Sequence, residues 1–291
     1  MRERHQSMCR ILFEFQGRPI YAYWFFYALG MFLAGFLGFY LAYRRSQKLL
    51  KVCILCLAMI IFAFAFGRLN AFCLKGTFSG FFDLRGGGQV SFGGVIGALF
   101  ILIVLARILR LPTEDALDIS ACAIPVAQGI QRIGCFCHGC CYGPISNSIL
   151  SVRFPKYTNS NGDIIGTPCF IHHLNLNLVE PSDTHSLPVF PIQLVAVAGC
   201  LLISGVCLWM LKQGKLKGRL LWFYFALYGA FRFTVQWFRP NYDGNNAVSG
   251  WNSGHTMSVA MLFIGIIFLA LSNRNKLIIL GGNIEKFNER N

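Results

Sequence analysis

Charge is sparse in this 291-residue chain: only 13% of its residues are Asp, Glu, Lys or Arg, against roughly 25% in ordinary soluble domains. So little charge does not cover the surface of a water-soluble globule of this length. Low hydrophobicity, the condition for disorder, is absent as well, and no Gly-X-Y period is present, which excludes a disordered or collagen-like chain. No internal repeat is apparent, which argues against a transporter built from duplicated halves.

What fills the chain instead is apolar. Hydrophobic residues make up 55% of it and the mean hydropathy is +0.54. A bilayer core of ~30 Å needs about 20 apolar residues per helix. Seven stretches meet or approach that length: 20–43, 52–68, 92–109, 116–133, 189–211, 220–238 and 256–271. The fold class expected is therefore all-α, a polytopic membrane protein with about seven transmembrane helices in a single domain.

Acid is scarcer than base, 12 residues against 26, for a formal charge of +14. In a soluble protein such a balance suggests nucleic acid. In a membrane protein it reads as the excess of Lys and Arg in cytoplasmic loops, and no nucleic-acid partner is expected. The 44–51 linker holds Arg44, Arg45, Lys48 and Lys51, and Arg107 and Arg110 close the third stretch. Lys212, Lys215, Lys217 and Arg219 occupy the next alternate linker, and the tail adds Arg274, Lys276, Lys286 and Arg290. These segments belong on the cytoplasmic side, which places the N-terminus outside and the C-terminus inside. Arg2, Arg4, Arg10 and Arg18 pull the other way and are outnumbered. The segment 144–188 is polar and turn-rich, and reads as a small extracytoplasmic head inserted between the fourth and fifth helices.

Acidic residues hardly enter the spans. Only Asp118 does, and with Glu114 and Asp115 it follows Pro112-Thr113, where carboxylates suit a helix N-terminus. Arginines do enter: Arg68 closes the second span, Arg132 lies near the end of the fourth, Arg232 sits inside the sixth, and Arg239 follows it. An unpaired guanidinium at mid-depth costs at least ~2.5–3.5 kcal/mol, so each needs a partner. Without a nearby carboxylate, the candidates are backbone carbonyls, water or an anionic ligand. The topology sends Arg68, Arg132 and Arg239 to the outer leaflet, with Tyr21, Tyr23 and the Gly86–Gly88 and Gly93-Gly94 segments. Planar guanidinium donors bind phosphate oxygens in pairs, and a phospholipid headgroup is the nearest anion. Snorkelling to the interface is the competing reading for Arg68 and Arg239. Tyr228, Arg232, Gln236 and Arg239, spaced i, i+4, i+8 and i+11, form one polar stripe, the strongest site candidate on physics alone.

Twelve cysteines are present, and the dense group is Cys135, Cys137, Cys140 and Cys141, interleaved with His138 and Gly139. Three readings stand: a zinc site, although the spacing matches no regular finger; one or two disulfides; or small residues in a tight Gly-rich turn. The spacing is not that of covalent haem attachment. No resident metal and no cofactor is assigned.

With these residues in view, the chain resembles the prolipoprotein diacylglyceryl transferase family from about Tyr21 to Gly265. Tyr23 to Gly30 (YWFFYALG) is similar to the family's first-helix motif, and Ser91 to Gly97 (SFGGVIG) to its Ser-Phe-His-Gly-Gly patch. Arg132 to Gly143 resembles the signature Gly-Arg-x-Gly-Asn-Phe-x-Asn-x-Glu-x-x-Gly. Tyr228 to Arg239 resembles Tyr-Gly-x-Phe-Arg-x-x-x-Glu-x-x-Arg. Pro191-Ile192-Gln193-Leu194 and Thr256-Met257-Ser258 are weaker matches in the same order.

The resemblance implies transfer of diacylglyceryl from phosphatidylglycerol to the thiol of a lipobox cysteine in a prolipoprotein, leaving glycerol phosphate, in the bacterial inner membrane. It implies that Arg132 and Arg232 hold the phosphate and that Tyr23 lines the site. Tyr228, Gln236, Arg239, Arg68 and Cys135 are expected to bind substrate, with Gly93, Gly94, Gly139 and Gly143 shaping the backbone. This chain departs from the family pattern at Phe92, which replaces the His, and at Cys135 and His138, which replace two Asn. Cys140 and Gln236 each replace a Glu. Phe cannot take a proton, so the candidates for that role are His138, unless it is merely a surface turn residue, and Cys135 or Cys140 acting as thiolates. The alternatives are a transferase of the same fold with another acceptor, and a non-catalytic phospholipid-binding protein.

Overall fold

The computed structural model describes residues 11–15, 18–45, 48–75, 91–157, 166–239, 251 and 253–288. Two short strands, β1 (Ile11–Phe15) and β2 (Arg18–Tyr21), pair as an antiparallel hairpin ahead of the first helix. Helices follow: α1 (Ala22–Arg44), α2 (Leu49–Lys75), α3 (Ser91–Ile108), α4 (Thr113–His138), the short α5 (Pro168–Asn175), α6 (Ile192–Lys212), α7 (Leu220–Trp237) and α8 (Ser253–Asn288). The all-α expectation holds, with the hairpin as an addition.

Each of the seven expected stretches is a helix, and the boundaries differ in informative ways. The fourth helix continues to His138, one and a half turns past the expected end, so Cys135 and Cys137 ride on a helix while Cys140 and Cys141 follow in the turn. The eighth continues to Asn288, because the polar residues after Leu271 end the apolar run without supplying a helix stop. Among the described residues, four segments are long and apolar enough to cross a membrane: Ala22–Arg44, Leu50–Leu69, Ile192–Lys212 and Gly254–Ser272. Gly93–Ile108 is a shorter apolar helix. In α4 and α7, residues such as Gln128, Gln131, Arg132, Arg232 and Gln236 dilute the apolar character. Large apolar side chains including Phe32, Phe36, Leu57, Leu202 and Phe263 stand exposed along these helices, as lipid-facing surface does. This is a multi-pass membrane protein.

The chain folds as two compact units, with several long helices contributing a half to each. The first comprises Met1–Phe36, Pro125–Leu202 and Thr234–Asn252. Within it, small residues bring helix backbones close. A Cβ on Gly30 of α1 would stand 2.9 Å from the Ala127 carbonyl oxygen of α4, and one on Gly134 only 3.1 Å from the Tyr23 carbonyl oxygen. The polar segment after α4 packs Tyr142, Phe154, Cys169 and Val189 into a small core of its own, flanked by Phe136 and Val152. Thr167 caps α5, accepting a hydrogen bond from the Phe170 amide, and the Cys169 amide donates to the Gly139 carbonyl at 3.1 Å.

The second unit comprises Leu37–Ile124, Ile203–Phe233 and Ser253–Asn291. Its α2 and α3 meet at Gly94 and Gly97, where an added Cβ would lie 2.9 Å from the Ala63 carbonyl oxygen and 2.7 Å from that of Phe62. α7 and α8 meet at Gly229 and Gly265 in the same manner, and Trp222 stacks on Phe268 with ring centroids 4.3 Å apart. Asp118 corrects a sequence expectation. Rather than serving the start of its own helix, its carboxylate accepts from the amides of Gly218 (2.6 Å) and Leu220 (2.9 Å), capping α7. Asp115 pairs with Arg45 at 2.7 Å.

Candidate active site

The site in the first unit is set up by the way α4 ends. The Gly139 amide donates to the Phe136 carbonyl and the Cys140 amide to the Cys135 carbonyl, both at 3.1 Å, and Gly139 has φ +76°. This is the Schellman closure, in which the residue after the left-handed position folds back onto the last helical turn. Here the residues so joined are Cys140 and Cys135. Cys141 follows with φ +59°, a left-handed conformation that a non-glycine residue adopts at some cost, and turns back as well. The Sγ atoms of Cys135, Cys140 and Cys141 lie within 4.8 Å of one another. All three are free thiols, as is Cys137, so the disulfide reading is not realised in this structure.

Arg132, one turn before Cys135, points Nη1 at Cys135 Sγ and Cys141 Sγ, 3.7 Å from each. Arg239 adds its charge near Cys141 and donates from Nη1 to Gln236 Oε1 at 3.1 Å, while its Nε is buried with no hydrogen-bond acceptor among the described residues. Hydrogen bonds from Cys135 and Cys140, reinforced by Arg239 and Arg132, hold the Cys141 thiol well below its ordinary range. Cys140 is raised well above its own range by hydrogen bonding with Cys135 and Cys141 and by burial. The Cys140 thiol also donates to the Cys135 carbonyl at 3.7 Å.

Tyr23 faces this cluster from α1. Its hydroxyl is hydrogen-bonded to Gln131, and its ring centroid lies 5.8 Å from that of His138. His138 is half-buried on the last turn of α4, not an exposed turn residue. From α6, the wholly buried Gln193 donates to the Cys140 carbonyl at 2.9 Å and fixes the loop. At Gly139 and Gly143 the backbone is closely approached: added Cβ atoms would lie 2.8 Å from Thr167 Cβ and 2.7 Å from the Phe190 carbonyl oxygen. Behind the loop, Tyr142 hydrogen-bonds its hydroxyl to His172 Nδ1.

The first unit therefore gathers Tyr23, Arg132, Cys135, His138, Gly139, Gly143, Gln236 and Arg239. Arg68, Gly93, Gly94, Tyr228 and Arg232 lie in the second unit. There Arg68 is only 3% exposed, with its guanidinium carbon 5.6 Å from the centre of the Phe64 ring. The buried Gly94 serves α2–α3 packing, Gly93 is buried beside it, and Tyr228 stacks on Tyr224. Arg232 lies in electrostatic range of His255, which is completely buried and edge-on to Phe233 at 5.6 Å. His255 escaped the sequence reading although it adjoins the Thr256-Met257-Ser258 patch. A lone histidine at a helix start carries no periodic signal, and only its burial marks it. Gln131 was missed because a single glutamine in a helix carries no periodic signal either, and Gln193, although within the Pro191–Leu194 patch, was given no role there. The side chain of Phe92 and the Gly86–Gly88 segment lie outside the described residues.

Comparison with known proteins follows the same residues. The model of the family described as prolipoprotein diacylglyceryl transferase matches residues 10–271. The phosphatidylglycerol–prolipoprotein diacylglyceryl transferase of Clostridium tetani is 26% identical over 278 residues, covering 91% of this chain and 98% of that protein. The protein of that name from Xylella fastidiosa is 27% identical over 202 residues, 66% of this chain and 65% of its own length. The one from Wolbachia pipientis is 28% identical over 183 residues, 62% and 61% respectively. Matched over nine-tenths of its length, and with the signature arginine set on the thiol cluster at the end of α4, this chain belongs to the prolipoprotein diacylglyceryl transferase family.

Proposed function

We propose that the protein transfers the diacylglyceryl group of phosphatidylglycerol to the lipobox cysteine of a prolipoprotein. The acceptor sulfur forms a bond to the glyceryl carbon, and the bond from that carbon to the phosphate oxygen breaks. The electron pair stays on the phosphate, and glycerol phosphate leaves. Cations that neutralise the departing phosphate stabilise the transition state. Arg132 and Arg232 are the residues to which the family resemblance assigns that work, with Tyr23, Tyr228, Gln236 and Arg239 lining the headgroup site. The carrying observation is that the charges of Arg132 and Arg239 both act at Cys141, just past the end of α4, since paired guanidiniums suit a phosphate.

The setting that fits this chemistry is the bacterial inner membrane, with α3, α4 and α7 crossing it as well. The N-terminus and the polar head then lie outside and the C-terminus in the cytoplasm, as the Lys and Arg bias favours. Labelled phosphatidylglycerol incubated with the purified protein and a lipobox peptide tests the reading. Peptide-dependent release of glycerol phosphate, with the label appearing on the peptide, is expected.

A second reading is favoured by Phe92, Cys135, Cys140 and Gln236, which replace the family's residues. The same scaffold then passes the lipid-derived group to another acceptor. Release of glycerol phosphate without peptide modification distinguishes it, and lipid binding without turnover points to a binding protein.

A further inference from the structure

Three thiols brought together by irregular spacing are not explained as small packing residues. Arg132 directs one nitrogen at two of the sulfurs, 3.7 Å from each, and neutral thiols are weak partners for a guanidinium. Arg239, which donates to Gln236, adds a second positive charge within electrostatic range of Cys141. The surroundings are those of sulfur carrying negative charge, and three adjacent thiolates repel one another unless a cation joins them.

We propose that Cys135, Cys140 and Cys141 bind one Zn²⁺ ion and leave its fourth position open for an incoming thiolate. Zinc takes thiolate at about 2.3 Å in tetrahedral geometry, which puts the sulfurs about 3.8 Å apart. The separations here reach 4.8 Å at most, so closing on the ion needs movement of up to about 1 Å, within the reach of χ1 adjustment at three cysteines. Among the described residues no fourth His, Cys, Asp or Glu joins the group. Three protein ligands and an open position are the pattern of reactive zinc sites, whereas structural sites are closed by four. The charges agree. Three thiolates and one Zn²⁺ sum to −1, a charge that Arg132 beside the sulfurs offsets. The backbone is also committed to the arrangement: the Cys140-to-Cys135 hydrogen bond and the left-handed Cys141 hold two of the ligands before any ion arrives.

The chemical consequence addresses the base that Phe92 does not supply. A thiol that coordinates zinc loses its proton to solvent water and remains a bound thiolate. In the transfer, that sulfur's lone pair forms the new bond to the glyceryl carbon as the carbon–oxygen bond to phosphate breaks. No side chain need take the proton. The identity of the fourth ligand rests on the transferase reading, whereas the three-thiol site does not.

The test uses the full-length protein, purified in detergent under reducing, anaerobic conditions. Metal content by plasma mass spectrometry should be about one zinc per chain, lost in Cys135→Ser and in the triple Cys135→Ser/Cys140→Ser/Cys141→Ser variant. Cobalt substitution should give thiolate charge-transfer bands and intense tetrahedral d–d bands. A lipobox peptide should shift the d–d bands and its Cys→Ser counterpart should not. Absence of tightly held metal, equal metal in the triple variant, or a Cys140–Cys141 disulfide found by alkylation and mass analysis overturns the site. Cobalt bands indifferent to the peptide, alongside normal glycerol phosphate release, overturn the open position and leave the transferase standing. A full complement of zinc with no release from any lipid and peptide pair overturns the transferase reading and supports the three-thiol site alone.

Discussion

The amide of Cys140 donates to the carbonyl of Cys135 at 3.1 Å, across the last turn of α4. That bond ends the helix, and it also lays one thiol over another. Helix termination and assembly of the candidate site are one event, so a change to the turn should be felt in both stability and chemistry.

Gly139 is the hinge of that turn. In Gly139→Ala the left-handed backbone costs about 1–2 kcal/mol, and the new Cβ meets Thr167 Cβ at 2.8 Å. A lower midpoint in a detergent thermal melt is expected, together with faster alkylation of Cys135. Unchanged alkylation would separate the turn from the thiol cluster.

Arg132 and Arg232 should matter through the transition state. Removing one preorganised charge from such a site typically costs on the order of 10²–10³ in turnover. Arg232→Ala and Arg132→Ala are expected to fall in that range at saturating lipid. Arg132→Lys should recover only part of the loss, since an ammonium lacks the planar fork. Initial rates of glycerol phosphate release read this directly, and wild-type turnover in Arg232→Ala would remove that residue from the mechanism.

Asp118 carries the start of α7. Two amides bind its carboxylate at 2.6 and 2.9 Å, and a hydrogen bond to a charged group contributes about 1.5–3 kcal/mol. Asp118→Ala should lower the melting midpoint by more than Asp118→Asn, which keeps one acceptor. Equal loss in both variants would mean that packing, not capping, governs the site.

The polar head should be acid-labile through His173. Burial, with help from neighbouring His172, pushes its pKa down from 6.5 to about 4. The folded head therefore holds His173 neutral while the unfolded chain takes up a proton below pH 6.5. No stability is lost above that pH. Loss accumulates as pH falls from 6.5 toward 4 and then levels off, reaching about 3 kcal/mol at 1.36 kcal/mol per unit. His172 contributes in the same direction, since burial lowers its pKa too. Midpoints measured from pH 7.5 to 4, against His173→Gln, check this. A parallel decline in the variant would assign the lability elsewhere.

Gly265 fixes the approach of α7 and α8, where a Cβ would lie 2.4 Å from the Ala226 amide nitrogen. Gly265→Val forces the helices apart and should cost about 1–3 kcal/mol. Gly205, whose Cβ meets nothing within 4 Å, is the control: Gly205→Ala should be neutral or stabilising. Similar melts for the two variants would contradict the packing account.

Much of the fold was legible because apolar run length and the positions of Lys and Arg are local properties. The bilayer demands ~20 apolar residues per crossing, and the runs in α1, α2, α6 and α8 state that directly. The end of α4 was not legible. A run of Gly, Cys and His looks like a turn, yet the helix continues through Cys135 and Cys137 because Tyr23 and Phe26 pack against it at Gly134. The role of Asp118 was hidden for a related reason. Its partners lie 100 and 102 residues away, and no local rule connects a carboxylate in one helix to the first amides of another.

The sequence alone thus determined the class of solvent, the helical architecture and the family, all of which follow from composition, periodicity and motif order along the chain. It also determined that acidic residues hardly enter the apolar spans, a matter of counting. Which groups meet was decided only by tertiary structure. The spacing of Cys135, Cys140 and Cys141 fits no regular metal motif, and a left-handed turn at Gly139 and Cys141 nevertheless brings their sulfurs within 4.8 Å under Arg132. Side-chain proximity across a reversed backbone depends on φ and packing, and neither is written in residue spacing.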